Sequence, residues 1–341
     1  MMQQHTQLHL SRRHFIGATA ATAALAMAPG LSFAQSVKPN SKFNGVQIGA
    51  ITYSFRSMPG AADDILKYVT QCGISSIELM GEPVEEFAGA PKFDMPRRPR
   101  RGEEVTDEQR AQFRAAMEKR AQDMREWRTS VTMDKFKELR QKYNDAGVNI
   151  HIVKFGSIGP EMSEDEVHYF FEVAKVLGAQ GITTEISEEK AKYLGPIADE
   201  HQIKIGFHNH TQVNSESYDK PLSCGKYLAI NLDIGHYVAG TNESPLPLIE
   251  KYGDAGRILS LHIKDRKVNN GPNMPFGHGD TPLALALHLM KKKGYTFPAD
   301  IELEYPVPEE SDAVAEVTKC LKFCENALAD PPERPNRERM R

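Results

Sequence analysis

The 341-residue chain has little of several features that mark common classes of protein. It has one tryptophan and four cysteines, and its formal net charge at pH 7 is −4. Because no large basic excess is present to neutralise a phosphate backbone, we do not expect nucleic acid to be a partner. The hydrophobic content of 40% and the charged content of 26% are ordinary for a globular protein, and the length permits a large core.

The cysteines are too few and too irregularly spaced to predict a zinc site or a disulfide framework. Cys320 and Cys324 are one turn apart on a predicted helix, where a disulfide would need awkward geometry. Cys72 and Cys224 stand far from each other in the sequence. We therefore expect all four to be packing residues.

The N-terminal segment resembles a twin-arginine (Tat) export signal. Arg12 and Arg13 precede Phe15, an alanine-rich apolar run follows, and the small residues "SFA" stand before Gln35. A membrane-anchoring helix is the alternative, but the run is too short and too rich in alanine to span a bilayer well. We therefore expect residues 1–34 to be a cleaved signal, which predicts a periplasmic or otherwise exported protein without stable membrane insertion.

After residue 45, short β-rich runs alternate with helical stretches. The eight predicted strands are residues 46–54, 75–80, 148–156, 181–187, 203–210, 227–236, 257–265 and 299–306. Their cores are apolar at nearly every position, which is typical of parallel strands buried on both faces. The pattern predicts an α/β fold with a single (β/α)8 TIM barrel over residues 35–330. A doubly wound sheet would require a glycine-rich phosphate turn after an early strand, and the sequence has none there.

Two segments depart from this alternation. A charged insertion at about residues 81–128 begins with proline and arginine and continues as a charged helical run. We expect a partly helical loop, with a solvated flap or a disordered loop as the alternative. The last residues, 331–341, are rich in proline and charge and are expected to form a loose tail.

Polar side chains gather at the predicted carboxyl ends of seven successive strands, where (β/α)8 barrels carry their chemistry. Any one of them has an ordinary explanation, such as capping the next helix. Burying so many carboxylates and imidazoles together without a common partner would cost free energy. A bound divalent cation would supply that partner. Carboxylate and imidazole ligands suit Mn, Zn, Co or Fe, and Mg less well. These residues are Glu78, Lys154, Glu185, His208, His210, Asp233, His236, His262, Lys264, Asp265, Glu302 and Glu304.

Four segments, "TTEIS", "NLDIGH", "SLHIKD" and "DIELEYP", resemble in order and spacing the xylose-isomerase-like TIM barrels, which include sugar phosphate isomerases and epimerases. The likeness covers about residues 46–327. It implies one divalent metal ion (Mn, Zn, Co or Mg) and the four ligands Glu185, Asp233, His262 and Glu302. Glu185 and Glu302 would also be the catalytic acid and base. The residues expected to meet the substrate are His236, Lys264, His210, His208, Glu78 and Lys154.

Three details of the motif assignment remain open from the sequence. His208 is about as compatible with a buried structural role as with a substrate contact. On the last strand Glu302 is preferred to Glu304, because the first glutamate of this motif is the ligand in the family. The stretch "FGHGDTP" resembles the family's glycine-rich segment before the last strand, although Asp280 follows the second glycine directly.

The resemblance implies a metal-dependent sugar isomerase or epimerase that acts on a keto-sugar or related polyol through an enediolate. One alternative is a metal-dependent lyase or dehydratase that eliminates from a 3-keto-glycoside or an inosose. A second alternative, from a non-enzyme class, is a periplasmic sugar-binding protein without catalysis. The expected partner is a small carbohydrate, and family relatives are often homo-oligomers.

Overall fold

Eight parallel strands close into a barrel in a computed structural model of the chain, which describes residues 38–94, 96 and 105–329. Each strand pairs in parallel with its neighbours, and the first strand pairs with both the second and the eighth. The predicted α/β barrel is thereby confirmed. The strands are β1 Val46–Ile51, β2 Ser76–Met80, β3 Asn149–Lys154, β4 Gly181–Glu185, β5 Lys204–His208, β6 Leu228–Asp233, β7 Ile258–Ile263 and β8 Ala299–Ile301.

Helices surround the strands. Gly73 ends the first of them in the left-handed conformation, at φ 81°. The Ser163 side chain begins another by accepting from the backbone N–H of Glu166, in a capping box. The helices of the described residues are α1 Ala62–Cys72, α2 Gly81–Phe87, α3 Asp107–Arg128, α4 Asp134–Asp145, α5 Glu164–Leu177, α6 Glu188–His201, α7 Asp219–Leu222, α8 Ile234–Thr241, α9 Leu246–Asp254, α10 Leu283–Lys293 and α11 Ala313–Ala329.

Minor elements complete the description. A single turn of 3-10 helix follows β1 at Thr52–Phe55. The short strand Lys42–Phe43 pairs antiparallel with β1. Asp265–Arg266 and Asn273–Met274 form a separate antiparallel pair after β7. The four cysteines are all free, as the sequence predicts.

Several strands end earlier than the sequence predicts. The predicted strand 227–236 is wrong at its carboxyl end, because Asp233 caps α8 and accepts the backbone N–H of His236 at 2.6 Å. His236 therefore lies in the first turn of a helix. The strand β8 has only three residues, so Glu302 and Glu304 follow it in irregular backbone. These early endings turn the polar side chains toward the mouth of the barrel.

The charged insertion is partly helical, as predicted, and consists of α2 and the 22-residue helix α3 in its described part. The guanidinium of Arg128, at the end of α3, donates to Glu85 at 2.8 and 3.1 Å and to Glu166 at 3.3 Å. These ion pairs fix α3 against α2 and α5. Residue 95 and residues 97–104 of the insertion lie outside the described residues.

The predicted signal, residues 1–34, and the predicted tail, residues 331–341, also lie outside the described residues. Among the residues that are described, no helix combines the length and the apolar character needed to cross a membrane.

Candidate metal centre

Four side chains with metal-binding chemistry meet at the carboxyl end of the barrel. Each offers one ligand atom, and these atoms all lie within 4.8 Å of one another. All four residues are buried. They stand at the ends of β5, β6 and β7 and directly after β8, and the strand register places two of them side by side on neighbouring strands. We call this set the ligand group; its members are His208, Asp233, His262 and Glu302.

The first member, His208, presents one nitrogen to the group. Its Nδ1 lies 2.7 Å from Oδ1 of Asn231. Because the amide nitrogen of Asn231 donates to Glu78 at 3.0 Å, the amide oxygen is the acceptor and His208 Nδ1 carries the proton. Burial is the main cause that lowers the pKa of His208 well below its usual range. The imidazole is therefore neutral, and Nε2 keeps its lone pair for a cation.

The second member, Asp233, divides its two oxygens between the fold and the site. Oδ1 caps α8. Oδ2 is buried and accepts no hydrogen bond, although the ammonium of Lys264 lies 3.0 Å away. Burial, only partly offset by Lys264, raises the pKa of Asp233 to about 7. A buried carboxylate oxygen without a hydrogen bond is costly, and a cation at this position would remove the cost.

The third member, His262, contacts both the fourth member, Glu302, and a carboxylate below the group. His262 Nε2 lies 2.7 Å from Glu78 Oε2, and His262 Nδ1 lies 3.0 Å from Glu302 Oε2. Burial alone would lower the pKa of His262, but the two carboxylates raise it to about 10. Because Nε2 contacts Glu78, Nδ1 of His262 faces the ligand group. Carboxylates that do not bind the metal themselves commonly orient liganding histidines in this way.

The ammonium of Lys264 is a cation that already contacts this group. It lies 3.0 Å from an oxygen of Asp233 and 3.0 Å from an oxygen of Glu302, and it also contacts Glu304. The residue is only 2% exposed. Burial would lower the pKa of Lys264, but the three carboxylates raise it, so the amine stays charged. One ammonium is thus shared among three carboxylates. The proton on His262 is the other positive charge in the group, and a metal ion would replace that proton.

The donor chemistry of the ligand group fits a divalent transition metal. Two imidazoles and two carboxylates are the combination that Mn, Zn, Co and Fe accept more readily than Mg does. Asp233 supplies an oxygen without a hydrogen bond, and His208 supplies a nitrogen lone pair.

At the rim of the mouth, His236 stands between two cations. Its Nε2 lies 3.0 Å from the Lys264 ammonium, and its Nδ1 lies 2.7 Å from the Arg266 guanidinium. Burial and then the charge of Lys264 lower the pKa of His236 to about 2. A neutral imidazole has a single acceptor nitrogen, so only one of these contacts is a hydrogen bond at a time.

The expected ligand Glu185 is not brought into the ligand group; His208 takes the fourth position. Glu185 is the last residue of β4 and stands level with His208 in the register. Its Oε1 lies 3.2 Å from the Lys154 ammonium and its Oε2 lies 3.7 Å from His210; the side chain is 41% exposed, although Oε2 itself is buried. It belongs to none of the metal-ligand clusters among the described residues. Glu185 therefore lies at the mouth, beside the group.

Glu78 is also placed differently from the sequence-based expectation. We expected it to meet substrate, but it is completely buried below the ligand group. Its carboxylate accepts from Thr183, Asn231 and His262. A carboxylate so enclosed cannot reach a molecule at the mouth, and its role in the structure is to orient His262.

The sequence reasoning missed Asn231, which joins His208 to Glu78 and also donates to Ser260 at 2.6 Å. A signal for it exists, since an asparagine inside the apolar strand "LAINLD" needs a buried partner. The register irregularity between Ile230 and Asn231 could not be predicted from the sequence, and such irregularities re-aim side chains.

The glycine-rich stretch before the last strand is organised by Asp265. Its carboxylate accepts the backbone N–H groups of Gly277 and Gly279, each at 2.8 Å, and that of Thr281 at 3.2 Å. A Cβ on Gly279 would lie 2.0 Å from Asp265 Oδ1, so only glycine fits. Asp280 instead pairs with Lys267 at 3.2 Å.

Comparison with known proteins agrees with this architecture. Residues 66–324 match a protein family described as "Xylose isomerase-like TIM barrel". Over 97 residues the chain is 31% identical to L-ribulose-5-phosphate 3-epimerase UlaE of Shigella flexneri. That match covers 28% of this chain and 32% of the epimerase, so the chain matches about a third of the length of these curated relatives.

Solved structures with the same fold are more distant in sequence. A xylose isomerase domain protein from Alicyclobacillus acidocaldarius superposes with a TM-score of 0.57 at 12% identity, over 83% of this chain and 100% of that one. The probable 3-DHS dehydratase AsbF from Bacillus anthracis gives 0.54 at 13% identity, over 84% and 100%. The 3-keto-D-glucoside 4-epimerase YcjR from E. coli gives 0.51 at 12%, over 82% and 100%. At these identities the superpositions establish the fold.

Proposed function

The chain belongs to the xylose isomerase-like TIM barrel family, and from that premise we propose that it is a metal-dependent isomerase or epimerase of a keto-sugar or related polyol. The ligand group carries the proposal, because its four donor atoms lie within 4.8 Å of one another at the catalytic end of the barrel. A divalent cation held by His208, Asp233, His262 and Glu302 would supply Lewis acidity toward a substrate carbonyl.

Glu185 is the residue that we assign as the proton acceptor. It lies at the mouth, and its Oε2 accepts no hydrogen bond. The Lys154 ammonium, 3.2 Å from the other oxygen, holds the carboxylate in place. An oxygen so placed is free to take the proton from the carbon next to a bound carbonyl. Removal of that proton gives the enediolate through which isomerisation or epimerisation proceeds.

Glu302 is the second carboxylate of the proposed acid–base pair. Burial would raise the pKa of Glu302, but Lys264 and His262 lower it well below its usual range. Its carboxylate is therefore ionised and oriented before a substrate arrives. It can accept a proton but has none to give, so Glu185, once protonated, would return its proton to the enediolate. The amine of Lys264 and the imidazole of His236 would hold the oxygen on which negative charge develops, and His210 would orient a hydroxyl at the rim.

The proposed reaction is tested by hydrogen exchange and metal analysis. Protein purified without chelator is assayed for about one equivalent of divalent metal and for uptake of deuterium from D2O into a panel of keto-sugars and polyols. We expect exchange at the carbon next to the carbonyl, and we expect Glu185→Gln to slow it by at least ~10²-fold, the usual scale for a positioned acid or base. Metal-loaded protein that exchanges none of the panel contradicts the proposal.

The same assay separates the isomerase from the eliminating enzyme. Both reactions begin with removal of a proton next to a carbonyl, but elimination releases water or an alcohol and leaves a double bond. Mass analysis of the product therefore identifies the outcome. A sugar-binding protein without catalysis would retain the sugar and exchange no deuterium.

We further propose that the protein is exported and loses residues 1–34. The proposal rests on Arg12 and Arg13, the apolar run and the "SFA" before Gln35. N-terminal sequencing of periplasmic material should begin at Gln35. Unchanged export of the double variant Arg12→Lys, Arg13→Lys would count against it.

A further inference from the structure

A cleft lies beside the ligand group, and no step of the proposed reaction uses it. It has a volume of about 380 Å³ and lies between α3 of the insertion and the carboxyl ends of β2 and β3. Its size is within the range of small-molecule sites, which run from roughly 300 to 1,000 Å³. Apolar side chains form much of its lining, namely Met80, Met117, Met124, Met162 and Phe155.

Methionines in this number form an adaptable apolar surface. The thioether side chain is flexible and polarisable, and it makes favourable contacts with aromatic rings. Phe155 adds a ring whose centroid lies 4.4 Å from that of Phe170, which holds it in place from behind. Such a surface accepts a flat apolar ring more readily than a second hydroxyl-rich sugar.

Three of the charged residues that line the cleft, Glu85, Arg128 and Lys154, are held in ion pairs. The Arg128 guanidinium is held by Glu85 at 2.8 and 3.1 Å and by Glu166 at 3.3 Å. Lys154 donates to Glu185 at 3.2 Å. An anionic ligand at Arg128 or Lys154 would have to displace these carboxylates, whereas an apolar ligand leaves both pairs intact. Glu82 and Arg120 also line the cleft, and the Arg120 guanidinium lies over the Phe93 ring.

Lys154 lies between the cleft and the mouth of the barrel. This residue lines the cleft, and its ammonium contacts Glu185 at the mouth. Glu185 in turn lies 3.7 Å from His210, which lies close to His208 of the ligand group. A sugar bound at the ligand group would therefore direct a substituent on this side past Lys154 and into the cleft.

We propose that the cleft is a subsite for an aromatic substituent carried by the carbohydrate substrate. The inference rests on the proposed function, since the ligand group is taken to bind the sugar. It goes beyond that function because it assigns the insertion a role in choosing substrates, with aryl-substituted carbohydrates favoured over free sugars.

Binding measurements test the subsite without requiring turnover. The metal-loaded protein is titrated with phenyl and methyl glycosides of a panel of hexoses, by calorimetry and by fluorescence. Trp127, the sole tryptophan of the chain, lies in α3 between two residues that line the cleft and reports on occupancy there. We expect at least one phenyl glycoside to bind ~10-fold more tightly than its methyl counterpart and to change the Trp127 emission.

A matched pair of methionine variants locates the effect. Met162 lines the cleft, whereas Met58 lines a different depression beside α1. Met162→Ala should weaken the phenyl glycoside by at least ~5-fold and leave the methyl glycoside within ~2-fold, while Met58→Ala should change neither. The inference is overturned if phenyl and methyl glycosides bind alike, if no phenyl glycoside binds, or if Met162→Ala weakens both equally.

The outcomes for subsite and reaction are separable. A preference for phenyl glycosides that Met162→Ala removes, in a protein that exchanges no deuterium, supports the subsite and contradicts the reaction. Deuterium exchange without any preference for phenyl glycosides supports the reaction and contradicts the subsite.

Discussion

Two clusters of polar side chains lie inside the same barrel, at different depths. The upper one is the ligand group at the mouth. The lower one, which we call the lower chain, consists of Ser76, His151 and Asp300. Ser76 lies on β2 two residues before Glu78, and Asp300 lies on β8 two residues before Glu302. Ser76 Oγ lies 2.8 Å from His151 Nδ1, and His151 Nε2 lies 3.0 Å from Asp300 Oδ2. Both clusters combine histidine with carboxylate, so residue type alone does not tell them apart.

Charge balance and space separate the two clusters. In the lower chain one imidazole faces one carboxylate, although Asp300 also comes within 4.8 Å of ligand atoms of Glu78 and His262. Asp300 Oδ1 accepts no hydrogen bond. It packs directly against Gly49, since a Cβ added to that glycine would lie only 2.0 Å from the oxygen, and this close contact leaves no room for a cation on that side. Around the upper cluster two positive groups, the Lys264 ammonium and the His262 imidazole, contact four carboxylates, those of Glu78, Asp233, Glu302 and Glu304. Histidine and carboxylate occur in both clusters. The cation site is distinguished by having more carboxylates than positive groups around side chains whose donor atoms point to one position.

The largest effect should come from removing one acid in each cluster. Asp233→Asn should lower metal affinity by at least ~10-fold and exchange activity by at least ~10²-fold, since it removes the ligand charge that lacks a hydrogen bond. Asp300→Asn should keep metal affinity within ~3-fold. Metal titration by calorimetry and the rise of the unfolding temperature with added metal measure both variants. Equal losses in both variants would show that the two clusters act as one.

Two neighbouring glutamates at the mouth, one inside the ligand group and one beside it, should differ in their importance. Glu302 is a member of the ligand group, whereas Glu304 contacts Lys264 from the more exposed rim. Glu302→Gln should therefore reduce turnover by at least ~10²-fold and reduce metal content, and Glu304→Gln should reduce turnover by less than ~10-fold. The two variants are compared in steady-state exchange assays and metal analysis. An inactive Glu304→Gln beside an active Glu302→Gln would reverse the roles assigned to the two glutamates.

The sequence allowed the barrel and three of the four ligand-group residues to be predicted, for physical reasons. Strands buried on both faces are apolar throughout, which makes eight of them visible as runs. The D-x-x-H spacing of Asp233 and His236 is the spacing of a helix cap and the third residue it caps, and the structure shows that contact. His262 and Glu302 occupy strand ends that the period-two alternation already turns inward.

The choice between His208 and Glu185 could not be made from the sequence. The two residues are level on neighbouring strands, so position alone treats them alike. What separates them is the set of side-chain partners: Asn231 holds His208 inside the barrel, and Lys154 holds Glu185 beside the ligand group. Contacts between residues this far apart in the chain are determined by the register and its irregularities, which the sequence pattern does not specify.

The smallest effects, and the most discriminating, should come from two buried serines that allow the same substitution in both clusters. Ser76 contacts His151 in the lower chain, and Ser260 accepts from Asn231 at 2.6 Å beside the ligand group. Each Ser→Ala change removes one hydroxyl and leaves a buried partner short of a hydrogen bond. The free energy of unfolding should fall by about 1–3 kcal/mol in each variant, measured by urea denaturation of the metal-free protein.

Metal affinity is what should distinguish these variants. The amide oxygen of Asn231 keeps the proton of His208 on Nδ1 and thereby leaves the Nε2 lone pair free for the cation. A change that lets Asn231 rotate would weaken this control of the tautomer. Ser260→Ala should therefore weaken metal binding by several-fold, with the remaining contact between Asn231 and Glu78 at 3.0 Å limiting the loss. Ser76→Ala should leave metal binding unchanged, because no member of the ligand group depends on Ser76 for its orientation. If Ser76→Ala weakened the metal as much as Ser260→Ala did, the lower chain would have to be counted as part of the metal centre.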